Sequence, residues 1–338
     1  MTVLSDRVLS NSELRALQGR SDWRGGLRLM IHVACLASTG WLVAIASGWA
    51  ELPAMAAQGL AQVALFAPAH ETMHQTAFAS RRANAIVQWI TSCPSLLNAQ
   101  FYTAFHLAHH RHTQIPGEDP ELATTGNPTT LAGYVWRVLS LRFWALRLRV
   151  IADCWRGDLS AYPYVTARAA PGIILSVRVM SVVMFGGAAL SAVLFGWQTP
   201  FLYWIGPQLL GQPPLRTYLL AEHTGCTLDR NGLTNTRTTC TNALVRLLMW
   251  NMPYHAEHHL YPSIPFHRLA EAHAAIQTRL GFVQPGYIRW NIGFVRQLRD
   301  QSPQTRNSPI SPSLPSGNSS TWADNVKPRG FRSRSQRR

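Results

Sequence analysis

Lysine is almost absent from this chain: Lys327 is the only one, and the rest of the 31 basic residues are arginine. Acidic residues are scarce as well, 16 in all, which leaves a formal charge of +15. Scattered arginines without a lysine-rich run or a nucleic-acid fold motif do not make a nucleic-acid interface, so no such partner is expected. Arginine flanking apolar segments serves as a topology signal and an anionic-lipid contact, and a basic face suits an acidic electron carrier. The five cysteines, Cys35, Cys93, Cys154, Cys226 and Cys240, are an odd number with no C-x-x-C spacing. That excludes a disulfide framework or a zinc ribbon and leaves reduced, bland thiols. No cleavable signal peptide is expected, because the stretch 1–28 is polar, carries arginine and lacks a small-residue cleavage site before the first apolar segment.

Long apolar runs are present. Residues 29–50 carry no formal charge and are long enough to cross a hydrocarbon core of roughly 30 Å. Residues 52–69 make a second, shorter span after Glu51 alone, so the two form a tight hairpin with Trp41 and Trp49 near an interface. A second hairpin repeats the design, with 179–197 running out and 201–220 running back through Pro207, Pro213 and Pro214, which kink it. Arg178 is expected to snorkel near an end. In the fourth span Gln208, Gln212 and Arg216 are tolerable only if they face protein or a cavity. The expected fold is therefore an all-α integral membrane protein, with four transmembrane helices in two hairpins and a cytosolic helical cap holding a histidine-rich two-metal site. Arg15, Arg20, Arg24 and Arg28 precede the first span, Arg81 and Arg82 follow the second, and the hairpin tips carry no basic residue. Both termini, and the site, then face the cytosol, with the bacterial inner membrane as the expected location.

Between the hairpins, residues 132–150 mix Arg137, Arg142, Arg147 and Arg149 with Trp136, Phe143 and Trp144, which reads as one interfacial amphipathic helix, with a soluble core helix as the alternative. Residues 85–97 are mostly apolar but interrupted by Pro94, as in a re-entrant or interfacial segment. Beyond Asp300 the Ser/Pro/Asn-rich run is a disordered tail. Three regions result: a cytosolic N-terminal segment 1–28, a membrane domain 29–300 and a basic tail 301–338.

Histidine carries the chemistry. H-x-x-H-H occurs twice, at His106/His109/His110 and His255/His258/His259, and His70 and His74 precede both. Residues three and four apart share a helix face, so each cluster is a multidentate arm. His223, which closely follows the fourth span, brings the set to nine imidazoles, more than one ion can use, and so to two metals. Imidazole suits iron, zinc, copper or nickel alike. His32, His267 and His273 are read as ordinary hydrogen-bonding residues, and His112, two positions past His110, is left open as a ligand. Glu71, Asp119, Glu222 and Glu257 adjoin the histidines and are candidates to hold imidazole N–H groups in the correct tautomer. Two other readings compete. H-E-T-M-H at 70–74 is also a zinc-hydrolase signature with Glu71 as general base, but a membrane protease leaves both H-x-x-H-H clusters unused. A metal transporter would place its sites near the bilayer midplane, whereas these clusters sit at span ends.

H-E-T-M-H, F-H-L-A-H-H-R-H-T at 105–113 and N-M-P-Y-H-A-E-H-H-L-Y-P at 251–262 together resemble the three histidine boxes of the membrane fatty acid desaturase and hydroxylase superfamily. The likeness covers roughly residues 29–281. It implies two iron ions held by nine histidines, with His223 in the extra position between boxes two and three, and O2 as co-substrate. It further implies oxidation of an unactivated C–H bond of a fatty acyl or similar lipid chain in a buried tunnel, with desaturation the expected outcome. Hydroxylation, oxidative decarboxylation to a terminal alkene and carotenoid oxygenation use the same scaffold, so membership does not fix the product. No cytochrome b5 segment is expected at either end, so the resemblance implies a separate donor of ferredoxin or rubredoxin type. His255 in place of glutamine at the head of the third box disfavours a front-end desaturase.

Overall fold

The computed structural model of the protein describes residues 8–300. The tail at 301–338 lies outside them. The described chain is helical apart from one short parallel strand pair, β1 (Thr238–Cys240) with β2 (Val283–Pro285), in register Thr238 to Val283.

A capping box opens α1 (Asn11–Leu17): Ser10 Oγ accepts from the Glu13 amide and the Glu13 carboxylate accepts from the Ser10 amide. Ser21 caps α2 (Asp22–Ile45), which thus starts before the apolar run does. A turn through Gly48, whose φ of +57° suits a residue without Cβ, leads into α3 (Glu51–Val63) and α4 (Phe66–Met73). Then come α5 (Arg81–Ser92), a tight turn at Cys93–Ser95 where Pro94 falls, and α6 (Ala99–His112) capped by Asn98. Next are α7 (Pro120–Thr125), α8 (Leu131–Val138), α9 (Leu141–Arg156) and α10 (Ala170–Phe195). A π turn at Phe201–Ile205 opens α11 (Gly206–His223), and the chain closes with α12 (Ala243–Leu248), α13 (His255–Leu260), α14 (Leu269–Ile276) and α15 (Tyr287–Asp300).

Among the described residues three segments are long and apolar enough to cross a membrane: Asp22–Ile45, Gly48–Met73 and Ala170–Phe195. The expectation of four such spans is corrected to three. The fourth candidate is helical from Phe201 to His223, but Gln208, Gln212, Arg216 and its prolines make it too polar to qualify. Those polar groups face protein. Gln62 Nε2 donates to the Tyr203 carbonyl at 2.6 Å, Gln208 Nε2 to Gln62 Oε1 at 3.2 Å, Gln212 Nε2 to Gln208 Oε1 at 3.2 Å, and Arg216 Nη2 to Gln212 Oε1 at 3.0 Å. Each buried amide in this ladder therefore avoids the penalty of an unpaired polar group. α11 is also the inner partner of α3. A Cβ placed on Gly59 would meet the Pro207 carbonyl oxygen at 2.2 Å, and one on Gly211 would meet the Gly59 oxygen at 2.4 Å, so the two backbones touch.

The apolar window of Gly48–Met73 is 67% buried, against 11% for α2 and 22% for α10, so it is the inner span and the other two turn apolar side chains outward. Arg178 lies within α10 and not at its end, because that helix starts at Ala170. Its Nε and Nη2 donate at 3.0 Å to the carbonyls of Cys154 and Trp155, the last turn of α9. The single amphipathic helix expected at 132–150 is two helices, broken where Ser140 takes a left-handed φ of 63°. The pair still exposes Trp136, Leu139, Leu141 and Leu148 among its arginines.

Buried Arg237 fastens the end of α11. Its Nη1 donates to the carbonyls of Ala221 and Thr224, its guanidinium lies over Trp290, and its own amide donates to the Glu222 carbonyl at 2.8 Å. Arg237→Met keeps the volume but strands both carbonyls, and it is expected to cost about 3 kcal/mol. Thermal unfolding in detergent reads this loss; a Tm equal to that of the parent would refute it.

Candidate metal centre

Four separate stretches deliver imidazoles to one place. α4 brings His70 and ends at His74, α6 carries His106, His109 and His110 in its last turns, α11 ends at His223, and α13 consists largely of the third cluster. Ring centroids of His70 lie 4.5 Å from His106 and 4.6 Å from His258; those of His109 and His223 are 4.9 Å apart, and those of His223 and His255 5.1 Å. All nine predicted histidines therefore meet.

The donor atoms divide into two groups. His70, His74, His106, His110 and His258 can each aim one nitrogen into a common volume, and so can His109, His223 and His259. His255 joins the second group through its Nε2, 3.2 Å from His223 Nε2. In the first group Nε2 of His258 lies 3.2 Å from Nε2 of His74 and 3.3 Å from that of His110, and Nε2 of His110 lies 3.0 Å from that of His106. Two nitrogens each about 2.1 Å from one ion would be roughly 3.0 to 3.4 Å apart, so these spacings are what a shared ion would require. Both nitrogens of buried His70, and Nε2 of His109 and His259, have no hydrogen-bond partner, as donors reserved for a cation would. The residues fit a two-metal site.

Neighbours fix which nitrogen is free. His109 Nδ1 donates to Asp119 Oδ1 at 2.9 Å and His223 Nδ1 to the Asn235 carbonyl at 3.2 Å, while Thr113 Oγ1 sits 3.2 Å from His259 Nδ1. In the second group each of these contacts turns Nε2 inward with its lone pair available. Burial pulls His74 down to about 3 and His223 to about 4, and holds His106, His110, His255, His258 and His259 well below the usual imidazole range. Neutral imidazole is the ligating form. His109 is the exception: burial pulls it down, but Glu121 and Asp119 outweigh that and leave it raised.

Of the four carboxylates expected beside the ligands, Asp119 holds His109 as anticipated, and Glu222 Oε2 lies 3.5 Å from His255 Nε2. Glu71 is turned elsewhere: its Oε1 accepts the Phe266 amide at 2.9 Å, tying α4 to the chain before α14. Glu257 accepts from His273 Nδ1 at 2.5 Å and from Thr238 Oγ1, and so fixes α13 to α14 and β1 rather than orienting one of the nine. Burial works against protonation of His273, but its hydrogen-bond partners and Glu257 push it up to about 9. The residue read as ordinary thus anchors the third cluster. His112 faces Glu118, 2.6 Å from its Nδ1, and belongs to neither group. Sequence reasoning missed Glu121, 3.8 Å from His109 Nε2. Its signal was the D-P-E run at 119–121, in which Asp119 caps α7 by accepting the Glu121 amide.

A cavity of about 500 Å³ opens beside the imidazoles, with His70, His106, His109 and His255 in its wall and Phe66, Phe101, Tyr102, Phe105, Leu146 and Leu215 providing apolar surface. Residues 46–291 match the family described as fatty acid desaturase. The chain belongs to the fatty acid desaturase family. Relatives include a sphingolipid delta(4)-desaturase of Arabidopsis thaliana, 26% identical over 266 residues, covering 76% of this chain and 72% of that protein. The Homo sapiens sphingolipid delta(4)-desaturase/C4-monooxygenase is 26% identical over 245 residues (68% and 67%), and a Drosophila melanogaster sphingolipid delta(4)-desaturase is 25% identical over 231 (66% and 65%). Family and histidine site together make this desaturase-family chain an integral membrane, O2-dependent di-iron oxidoreductase acting on a lipid chain.

Proposed function

We propose that the enzyme desaturates a single lipid chain, with the eight ligand histidines of the three boxes and His223 as the ninth holding two iron ions. One observation carries this reading: the two imidazole groups form part of the wall of a cavity of about 500 Å³, within the size range of small-molecule pockets, whose lining also includes Phe66, Phe101, Phe105, Leu146 and Leu215. When bound, the irons supply the capacity to use O2 and two external electrons to remove hydrogen from an unactivated C–H bond. The protein's share is positioning and exclusion. Phe101, Phe105 and Leu146 hold the chain and keep water out, and Tyr102, stacked on His106 at 5.1 Å, fixes that ring against the cavity. Asp119 and the Asn235 carbonyl keep their imidazoles in one tautomer.

The helix Phe201–His223, with its ladder of amides, packs against α3 as the polar inner element beside the three spans, and residues 29–300 act as one membrane domain. Arginine placement supports both termini and the metal centre on the cytosolic side of a bacterial inner membrane, where a separate ferredoxin- or rubredoxin-type donor meets the basic face. Hydroxylation is the second reading, favoured by the monooxygenase activity in the human relative's name. The purified protein should hold about two irons per chain, and cells expressing it with a ferredoxin system should accumulate lipid chains lighter by two hydrogens in mass spectra. One zinc per chain with unaltered lipids would eliminate the proposal; a mass gain of one oxygen would replace desaturation by hydroxylation.

A further inference from the structure

The cavity beside the histidines gathers arginines that no close ion pair answers among the described residues. Arg137 from α8, Arg147 from α9 and Arg216 from α11 all line it, brought together from three helices. Each is half-buried, and the Nε of each is buried without a hydrogen-bond partner. None of the three belongs to an ion pair among the described residues; Arg216 donates to Gln212, and the guanidiniums of Arg147 and Arg216 lie 4.9 and 4.4 Å from the centre of the Phe143 ring. The two carboxylates in the same wall attract Arg216, and Glu121 also attracts Arg137, but both lie against imidazoles as well, Glu121 at 3.8 Å from His109 Nε2 and Glu222 at 3.5 Å from His255 Nε2.

These three guanidinium groups, with the exposed Arg142 as a fourth in the same wall, repel one another, and desolvating the half-buried three is costly unless an anion answers them. A scaffold that needed only cavity walls would use apolar residues there. Guanidinium is also the planar donor fork that matches a carboxylate or phosphate with paired N–H groups. Its location joins this charge to the chemistry: Arg216 precedes Glu222 by less than two turns of α11, and both line the same cavity as His70 and His106.

We propose that Arg137, Arg147 and Arg216 bind the anionic head group, a carboxylate or phosphate, of the lipid chain that enters this cavity. The proposal rests on the reading of the cavity as the substrate site and adds the class of substrate: an acidic amphiphile rather than an uncharged lipid. With the head held by the three guanidiniums, the hydrocarbon tail lies along the apolar wall past the imidazoles.

Equilibrium binding to the purified, iron-loaded protein in a nonionic detergent tests this without turnover. The probes are stearic acid, octadecyl phosphate, and the uncharged methyl stearate and octadecanol. An acidic probe should bind at least 10-fold more tightly than both uncharged ones. Preference for stearic acid identifies a carboxylate head, and preference for octadecyl phosphate a phosphate head. Arg147→Met and Arg216→Met should each erase the preference while leaving methyl stearate affinity within about 2-fold, and Arg→Lys at either position should restore part of it. Equal affinity of the unmodified protein for acidic and uncharged probes would overturn the proposal, a result that needs no variant to fold. So would an acid preference that survives both methionine variants. His258→Ala should keep the preference, so loss of oxidation chemistry and loss of head-group binding are distinguishable.

Discussion

His258→Ala is expected to lower lipid oxidation by at least about 100-fold and to reduce bound iron, with the protein still inserted in the membrane. Removing a group that merely orients a metal ligand costs 10- to 100-fold in affinity or activity, so removing a ligand costs at least as much. His258 is the sharpest choice because its Nε2 is within 3.3 Å of nitrogens from two other boxes, His74 and His110. Its side chain is fully buried, but it contributes to a ring of donors and not to the apolar core, so alanine there removes coordination before it removes packing. Iron per chain, membrane partitioning and product analysis on one preparation check the three parts of the expectation. Full turnover with two irons bound would remove His258 from the ligand set. His109→Ala should behave in the same way for the second group and also leave Asp119 buried without its imidazole partner, with only the Gln114 and Glu121 amides to answer it.

The second large effect is structural. Gly211→Leu should prevent accumulation of folded enzyme, because the new side chain would start 2.4 Å from the Gly59 carbonyl oxygen and 2.8 Å from Val63 Cγ1. Ordinary overpacking in a core costs about 1 to 3 kcal/mol, and here the obstacle is backbone, which cannot rotate away. α3 and α11 would have to separate, and their continuations carry His70 and His74 on one side and His223 on the other. Size-exclusion profiles and iron content after solubilisation measure the loss. Gly186→Leu is the control: it lies on α10 with no atom within 4 Å of a Cβ there, and it should express like the parent. Equal yields of iron-loaded Gly211→Leu and Gly186→Leu protein would show that the close approach of the two helices is not needed.

The chemistry of this chain was legible in its sequence to a greater degree than its membrane architecture. Histidine at three- and four-residue spacing can be recognised wherever it falls, and all nine chosen positions converge. Span boundaries were less accessible, because helix ends are set by caps and not by hydropathy: Ser21 starts α2 ahead of its apolar run, and α10 opens at Ala170. The break at Ser140 is a left-handed turn at a residue type that does not demand one, so neither composition nor periodicity signals it. The pairing of His273 with Glu257 and the gathering of Arg137, Arg147 and Arg216 depend on contacts between distant helices, which local pattern cannot supply. Polar residues in the fourth candidate span did announce an inward-facing helix, and the ladder from Gln62 to Arg216 shows where they point.

His74 and His258 stand 184 positions apart in the chain and 3.2 Å apart in space. No early fragment emerging from the ribosome can therefore assemble either cage of donors: box one waits, deprived of its counterpart, until the last third of the polypeptide has been made and threaded back. Metal bound by these histidines would consequently arrive as a closing event in biogenesis and would act as a clasp between the first hairpin and the final quarter of the fold.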